Sequence, residues 1–321
     1  MRGEKCIYFT FHFSLFTILM KKIVSVSLGS SKRDHHVKSR FLNIDFDISR
    51  IGTDGDFKTA LTVLKELDGN VDAIGLGGID IYLYSKTRRY ALRDGLRLKE
   101  AVKRTPVLDG SSLKNSLERE TIIYLVRENI INIKDKKVLM VCAMDRFGMA
   151  SSLVECGANV TFGDMMFTLD VDKPVYSLEE LEIQADRILP EVCKLPISMI
   201  YPVGKKQDSE PVKKYHKYYE ESSIIAGDYH FIRKYMPSSL SGKIIITNTI
   251  TPADIEELRK RQVSKLITTT PDIEGRSFGT NVLEAILLVL SEKPQENITD
   301  EDYLRLIKEL HILPRIEEFV Y

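Results

Sequence analysis

Six residues between an apolar run and a helical stretch carry the most specific chemistry in this chain. Residues 137–142 (KVLMVC) read as a buried strand, and Ala143-Met144-Asp145-Arg146-Phe147-Gly148 follow before a helix. A dinucleotide-binding turn places glycines at i, i+2 and i+5, for a tight bend, close approach to the pyrophosphate and close helix packing. Ala143, Asp145 and Gly148 hold those positions. The spacing and setting suit a phosphate turn, while Asp145 brings a like charge that Arg146 must offset. Asp164 ends the next strand, where a carboxylate accepts the ribose hydroxyls of an adenosine. The same carboxylate repels a 2′-phosphate, so NAD is favoured over NADP. The alternative is a Rossmann-like scaffold without the cofactor, because many second strands end in an acidic residue.

Ligands of open parallel sheets lie beyond the carboxyl ends of the strands. In the first half those ends run into Gly29-Ser30-Ser31-Lys32-Arg33, Gly52-Thr53-Asp54-Gly55-Asp56, Gly77-Gly78-Ile79-Asp80 and Asp109-Gly110-Ser111-Ser112-Leu113-Lys114-Asn115. Any one of these loops is explained by turn geometry and helix capping. Together they offer Ser30, Asp54 and Asp80 to a substrate and Lys32 or Arg33 to its carboxylate. In the second half, Thr247 and Asn248 follow a strand and join the cofactor-binding candidates. His230 follows Gly227-Asp228-Tyr229 and titrates near working pH, which suits a general acid or base; the alternative is a packed loop residue. Arg276 and Ser277, before the last long helix, either hold an anion or belong to its cap. His35 and His36 project in different directions with no third ligand in view, so no metal site is expected.

These loops need a scaffold, and from Lys21 onward short β-branched runs alternate with amphipathic stretches, the signature of a parallel α/β architecture. Strands are expected at 23–28, 46–51, 72–76 and 105–108, and helices at 56–67, 89–103 and 114–129. In the second half strands are expected at 137–142, 159–163, 197–201, 223–226, 243–247 and 264–268. Helices are expected from the 143–147 turn to about 156 and at 175–193, 208–221, 252–261, 279–292 and 300–310, with Pro314 ending regular structure. The Lys/Tyr run at 213–219 reads as a solvated helix face. Two domains follow: an N-terminal parallel α/β substrate domain over 20–130 and a Rossmann-like doubly wound domain over 131–321.

Residues 6–20 (CIYFTFHFSLFTILM) are apolar but too short to span a bilayer. They read as an upstream start-site artefact or disordered extension, a lipid or partner anchor, or a signal peptide; the functional protein is expected to begin near Met20. Lys+Arg and Asp+Glu are both 46, and this zero net charge argues against general nucleic-acid or anionic-membrane binding. A small-molecule substrate is the expected partner, and a homodimer is compatible with the sequence. The four cysteines form no CxxC pair, which fits a reducing, cytoplasmic setting.

The segments VSVSLGSSKRDH, GTDGD, GLGGIDIYLY, DGSSLKNSLERET, VLMVCAMDRFGMA, AGDYHFIRKYMP, IIITNT and TTTPDIEGRSFGTN span nearly the whole chain. On them the chain resembles a bacterial family labelled quinate 5-dehydrogenase, akin to the shikimate and quinate dehydrogenases. That resemblance implies an N-terminal substrate domain, a C-terminal NAD(P)-binding domain, and a Lys–Asp pair that moves a proton as hydride leaves a carbinol carbon. The glycine-rich turn of those enzymes is here Ala143 to Gly148. Lys114 with Asp109 is placed to act as the pair. The expected function is NAD(P)-linked oxidation of a small hydroxy acid. Non-redox nucleotide or metabolite binding, and transfer from an adenosine-containing donor, are the alternatives.

Overall fold

The computed structural model describes residues 20–86, 88–201, 211–273 and 276–321. The expectations for residues 1–19 and for the start of the 208–221 helix lie outside the described residues. In chain order the first half comprises β1 (Lys21–Ser27), β2 (His35–Phe41), β3 (Ile44–Gly52), α1 (Phe57–Leu67), β4 (Ala73–Gly77), β5 (Tyr82–Tyr84), β6 (Arg89–Ala91), α2 (Arg93–Glu100), β7 (Val107–Leu108) and α3 (Ser111–Arg127). β8 (Lys137–Met140), α4 (Phe147–Glu155), β9 (Asn159–Phe162), α5 (Asp164–Leu169), α6 (Leu178–Val192), α7 (Ile197–Ile200), α8 (His216–Glu221) and β10 (Ile224–Ala226) follow. The chain continues through α9 (Tyr229–Tyr235), β11 (Ile244–Thr247), α10 (Pro252–Lys260), β12 (Lys265–Thr268), β13 (Asp272–Ile273), β14 (Arg276–Ser277), α11 (Thr280–Ser291), α12 (Asp300–Glu309) and β15 (Arg315–Glu318).

Two mixed sheets result, ordered β2-β3-β1-β4-β7 and β15-β12-β11-β10-β8-β9, parallel except for the edge strands β2 and β15. Both are doubly wound. Strand order reverses between β1 and β4 in the first and between β8 and β10 in the second, and such reversals open a crevice. The alternation of IVSVS explains why the first crevice is polar. Val24 and Val26 face one core with Ala60 and Leu64 of α1, while Ile23 faces the other, beside α11. Ser25 and Ser27 share the face of Ile23, so that face turns polar toward its carboxyl end.

The second domain is not the continuous 131–321 expected. α11 and α12 return to the first sheet, where Val282, Leu283, Ile286 and Tyr303 share a core with Ile23, Phe46, Ile48 and Leu117. Apolar nearly all round, α11 needs cover on all sides and finds it between β4, β1 and α3. The chain then crosses back, and β15 pairs antiparallel with β12, so Pro314 does not end regular structure. Residues 197–200 form the short helix α7 rather than a strand, and 89–103 divides into β6 and α2. His35 and His36 begin β2, an edge strand missing from the sequence expectations. The tyrosines of the 213–219 run are not solvated: Tyr215, Tyr218 and Tyr219 are buried, and the rings of Tyr215 and Tyr219 lie 5.5 and 6.0 Å from Phe167. Among the described residues no helix is long and apolar enough to cross a membrane.

Candidate functional site

The crevices of the two sheets face each other and form one cleft of about 130 Å³. β1 and β4 contribute Ser25, Ser27 and Gly77 to Asp80; the turn after β8 contributes Asp145 and Arg146; Asp228, His230 and Asn248 follow β10 and β11. α11 closes one side with its first residues, Thr280 and Asn281. Its approach depends on Gly110, held at φ 85°, where an added Cβ would lie 2.6 Å from the Asn281 nitrogen.

Lys114 stands at the centre, 6% exposed. It donates to Asp80 Oδ1 at 2.5 Å, and Tyr201 Oη donates to Asp80 Oδ2 at 2.6 Å. Asp145 Oδ2 lies 3.6 Å from the same Nζ. Burial alone would lower the lysine's pKa, but Asp80 and Asp145 outweigh it, so the group sits above its ordinary range. Burial, reinforced by Asp80, pushes the Tyr201 phenol well up, so it keeps its proton. A lysine so firmly protonated suits oxyanion stabilisation, while proton transfer, which is best at a pKa near working pH, and a Schiff base, which requires the neutral amine, are both disfavoured.

The sequence expectation paired Lys114 with Asp109; the structure corrects that. Asp109 Oδ2 accepts from the Ile81 and Tyr82 amides at 2.6 and 3.1 Å, and Oδ1 accepts from the Ser111 amide and hydroxyl at 3.1 and 2.7 Å. Asp109 therefore organises the Ile81 loop and the start of α3.

Arg146 is 1% exposed and makes an ion pair with Glu118 of α3, which is fully buried. Its other contacts are Asp228 Oδ2 at 3.3 Å and Asp145 Oδ2 at 3.7 Å. Asp228 also caps α9 by accepting from the His230 amide at 2.9 Å. Burial first, and Arg33 second, push His230 down to about 4, so its ring is neutral at working pH. Arg33 lies 3.3 Å from Asp254, and Arg50 donates to Asp34 at 2.6 Å and to Ser27 Oγ at 2.9 Å. Both arginines line the cleft.

The turn over 143–148 is filled. Asp164 Oδ1 accepts from the Ala143 and Met144 amides, each at 2.8 Å, so Asp164 faces the turn instead of a ribose. The Gly148 amide donates to Asn115 Oδ1 at 3.2 Å, and a Cβ on Gly148 would lie 2.2 Å from the Asn115 carbonyl oxygen. Amides that a pyrophosphate would use are engaged, and α3 covers the start of α4. As they stand, these residues do not fit a dinucleotide.

Of the expected site residues, Lys114, Asp80, Asp145, Arg146, Arg33, His230, Asn248 and Asp109 reach the cleft wall. Several others hold the scaffold. Thr247 is buried and donates to the Gly227 carbonyl at 2.8 Å, Ser30 caps the turn Ser31–Arg33, and Asp54 accepts from the Ser31 amide and hydroxyl. Lys32 is exposed and away from the cleft wall. His36 contacts Asp47 at 2.7 Å, while His35 lies against Phe278 in the cleft wall. Sequence reasoning missed Tyr201, Arg50, Asp228 and Glu118. Asp228 had a usable signal, an acidic residue one position past a Gly at a strand end. Tyr201, Arg50 and Glu118 had none, because each acts through a tertiary contact.

Residues 112–319 match the family model described as Domain of unknown function (DUF8754). The chain belongs to that family. Residues 22–109 match a second model, Domain of unknown function (DUF8753), so the two models meet at the start of α3. No curated protein matches the chain. Among solved structures, an NAD-dependent malic enzyme from Thermotoga maritima is 14% identical, with 92% of this chain and 85% of that one covered at a TM-score of 0.36. A galactofuranose binding protein is 8% identical, with 91% and 98% covered at a TM-score of 0.34. A 5,10-methylenetetrahydrofolate dehydrogenase from the silkworm, Bombyx mori, is 13% identical, with 90% and 88% covered at 0.31. Likeness at this level, with dehydrogenases beside a binding protein, carries no functional argument. The function of this DUF8754 member has to be argued from its own cleft.

Proposed function

We propose that the chain is an enzyme that binds a small carboxylic acid between its two domains and stabilises negative charge developing on it with the Lys114 ammonium. The observation that carries this is the set of buried Lys114 and Asp80 with half-buried Tyr201 at the meeting of two strand-order reversals. Asp80 and Asp145 keep the ammonium charged, Tyr201 holds Asp80 in place, and the remaining N–H of Lys114 is available to an oxygen in the cleft. Arg33 and Arg50 give the opposite wall positive charge for a carboxylate. A cleft of about 130 Å³ suits a ligand of few heavy atoms, well below the roughly 300–1,000 Å³ typical of larger ligands.

The resemblance to quinate 5-dehydrogenases implies instead a hydroxy acid, with Lys114 and Asp80 as its Lys–Asp pair. NAD(P)-linked redox chemistry on such an acid is the second reading. It requires Asp164 and Asn115 to release the 143–148 turn. A melt-shift panel of small hydroxy acids, NAD, NADP, S-adenosylmethionine and ATP separates the two. Stabilisation by acids alone supports the first reading; stabilisation by NAD or NADP establishes the second.

A further inference from the structure

Past Asp145 and Tyr201, which line both spaces, the cleft adjoins a smaller cavity of about 40 Å³. Its walls are largely apolar, formed by side chains such as Leu83, Met144, Leu189 and Phe231. Set among them are two carboxylates, Asp145 and Asp164. Each has a buried oxygen without a hydrogen-bond partner among the described residues, Oδ1 of Asp145 and Oδ2 of Asp164. The Asp145 side chain is 6% exposed and Asp164 is 7% exposed. Buried carboxylate oxygens are normally satisfied, so two on residues that line one small cavity point to a missing donor.

The surrounding charge asks for the same thing. Lys114 and Arg146 both approach Asp145 through Oδ2, leaving Oδ1 without a cation. Lys114 also serves Asp80, while Arg146 serves Glu118 and Asp228. Four acidic side chains thus share two cations, and a fifth, Asp164, is held only by amides and is pushed up to about 7 by its burial with no cation beside it. Among the described residues no group of three or more His, Cys, Asp or Glu is arranged to hold a metal ion.

We infer that the ligand supplies the missing charge as a primary ammonium lodged between Asp145 and Asp164. Its carboxylate lies in the main cleft toward Arg33 and Arg50, which makes the ligand a small amino acid rather than a plain hydroxy acid. An ammonium has three N–H donors in a compact group, which suits two carboxylate oxygens and the Tyr201 oxygen, whose own proton is committed to Asp80. The inference rests on the cleft being the binding site, and the test separates the two claims.

Isothermal titration of the full chain with matched pairs, L-alanine against L-lactate and L-serine against glycerate, reads the preference directly. The expected result is amino acids binding at least about tenfold more tightly than their hydroxy partners, the scale of one charge-assisted hydrogen bond. Asp145→Asn is expected to collapse that ratio toward one, with Asp164→Asn as the second variant should the first fail to fold. Equal or tighter binding of the hydroxy acids overturns the ammonium assignment while leaving the cleft as the site. A preference unchanged in both variants overturns its placement. No binding by any of the four acids overturns the assignment and the cleft reading together.

Discussion

Arg146 and Glu118 pair at the junction of the two domains, with side chains 1% and 0% exposed, one in the turn after β8 and the other on α3. Removing one partner strands the other charge in a dry site, whereas replacing both with apolar groups of similar size removes the problem. Glu118→Met is therefore expected to destabilise the chain by about 3–5 kcal/mol. The double variant Glu118→Met/Arg146→Met should recover a large part of that loss, although Asp228 and Asp145 lose a neighbour. Urea midpoints for Glu118→Met and the double variant check this.

Asp164 secures the turn through the amides of Ala143 and Met144. Asp164→Ala leaves both buried N–H groups without an acceptor, at about 1–3 kcal/mol each. Asp164→Asn keeps an oxygen in place and should lie much closer to wild type. Burial raises Asp164 to about 7 against the pull of those amides, so its folded value exceeds its unfolded one. The stability it lends is full below the ordinary carboxylate range and falls as pH rises through about 7. The Asn variant should lack that decline. Chemical denaturation of the three proteins at acidic and at alkaline pH decides it.

Glu284 accepts from the Gly110 amide at 2.7 Å at the join of α11 and α3. Burial first, and Asp109 second, push it up to about 8. Folded protein therefore holds a proton that unfolded chain has released, and stability falls as pH rises from the ordinary glutamate range to about 8. Glu284→Gln mimics the protonated form and keeps an acceptor for Gly110. It should flatten this slope and leave the variant more stable than wild type near pH 9, by an amount on the order of a few kcal/mol at about 1.4 per pH unit. A variant that follows the wild-type pH profile would show that Glu284 is ionised in the folded state.

Gly148 meets the Asn115 backbone, and a Cβ there would sit 2.2 Å from a carbonyl oxygen that has no flexible end to swing away. Gly148→Ala should force α4 from α3 and cost about 1–3 kcal/mol or more. A melting temperature equal to wild type would mean that the two helices are not locked together.

These contacts explain which parts of the molecule were legible in the sequence. Runs such as KVLM and IIIT are apolar on both faces, and that pattern marks parallel strands whatever surrounds them. Strand-end loops must face the sheet crevice, so Lys114, Asp80, Arg33 and His230 could be brought to one place without coordinates. Partner choice could not. Asp109 is five residues from Lys114 and looks the natural mate, yet its lone pairs are taken by local amides, and Asp80 reaches the lysine from another loop. The turn at 143–148 has the right spacing, but only the fold reveals that Asp164 and Asn115 occupy its amides. Likewise the apolar character of α11 shows that it is buried, not that it is buried in the first domain.

Titration calorimetry of the purified full chain tests the central claim most directly, with small carboxylic acids in one series and NAD and NADP in another. The account predicts heat from at least one small acid, abolished by Lys114→Met, and none from either dinucleotide. Saturable binding of NAD or NADP at micromolar affinity, about −8 kcal/mol, would contradict it.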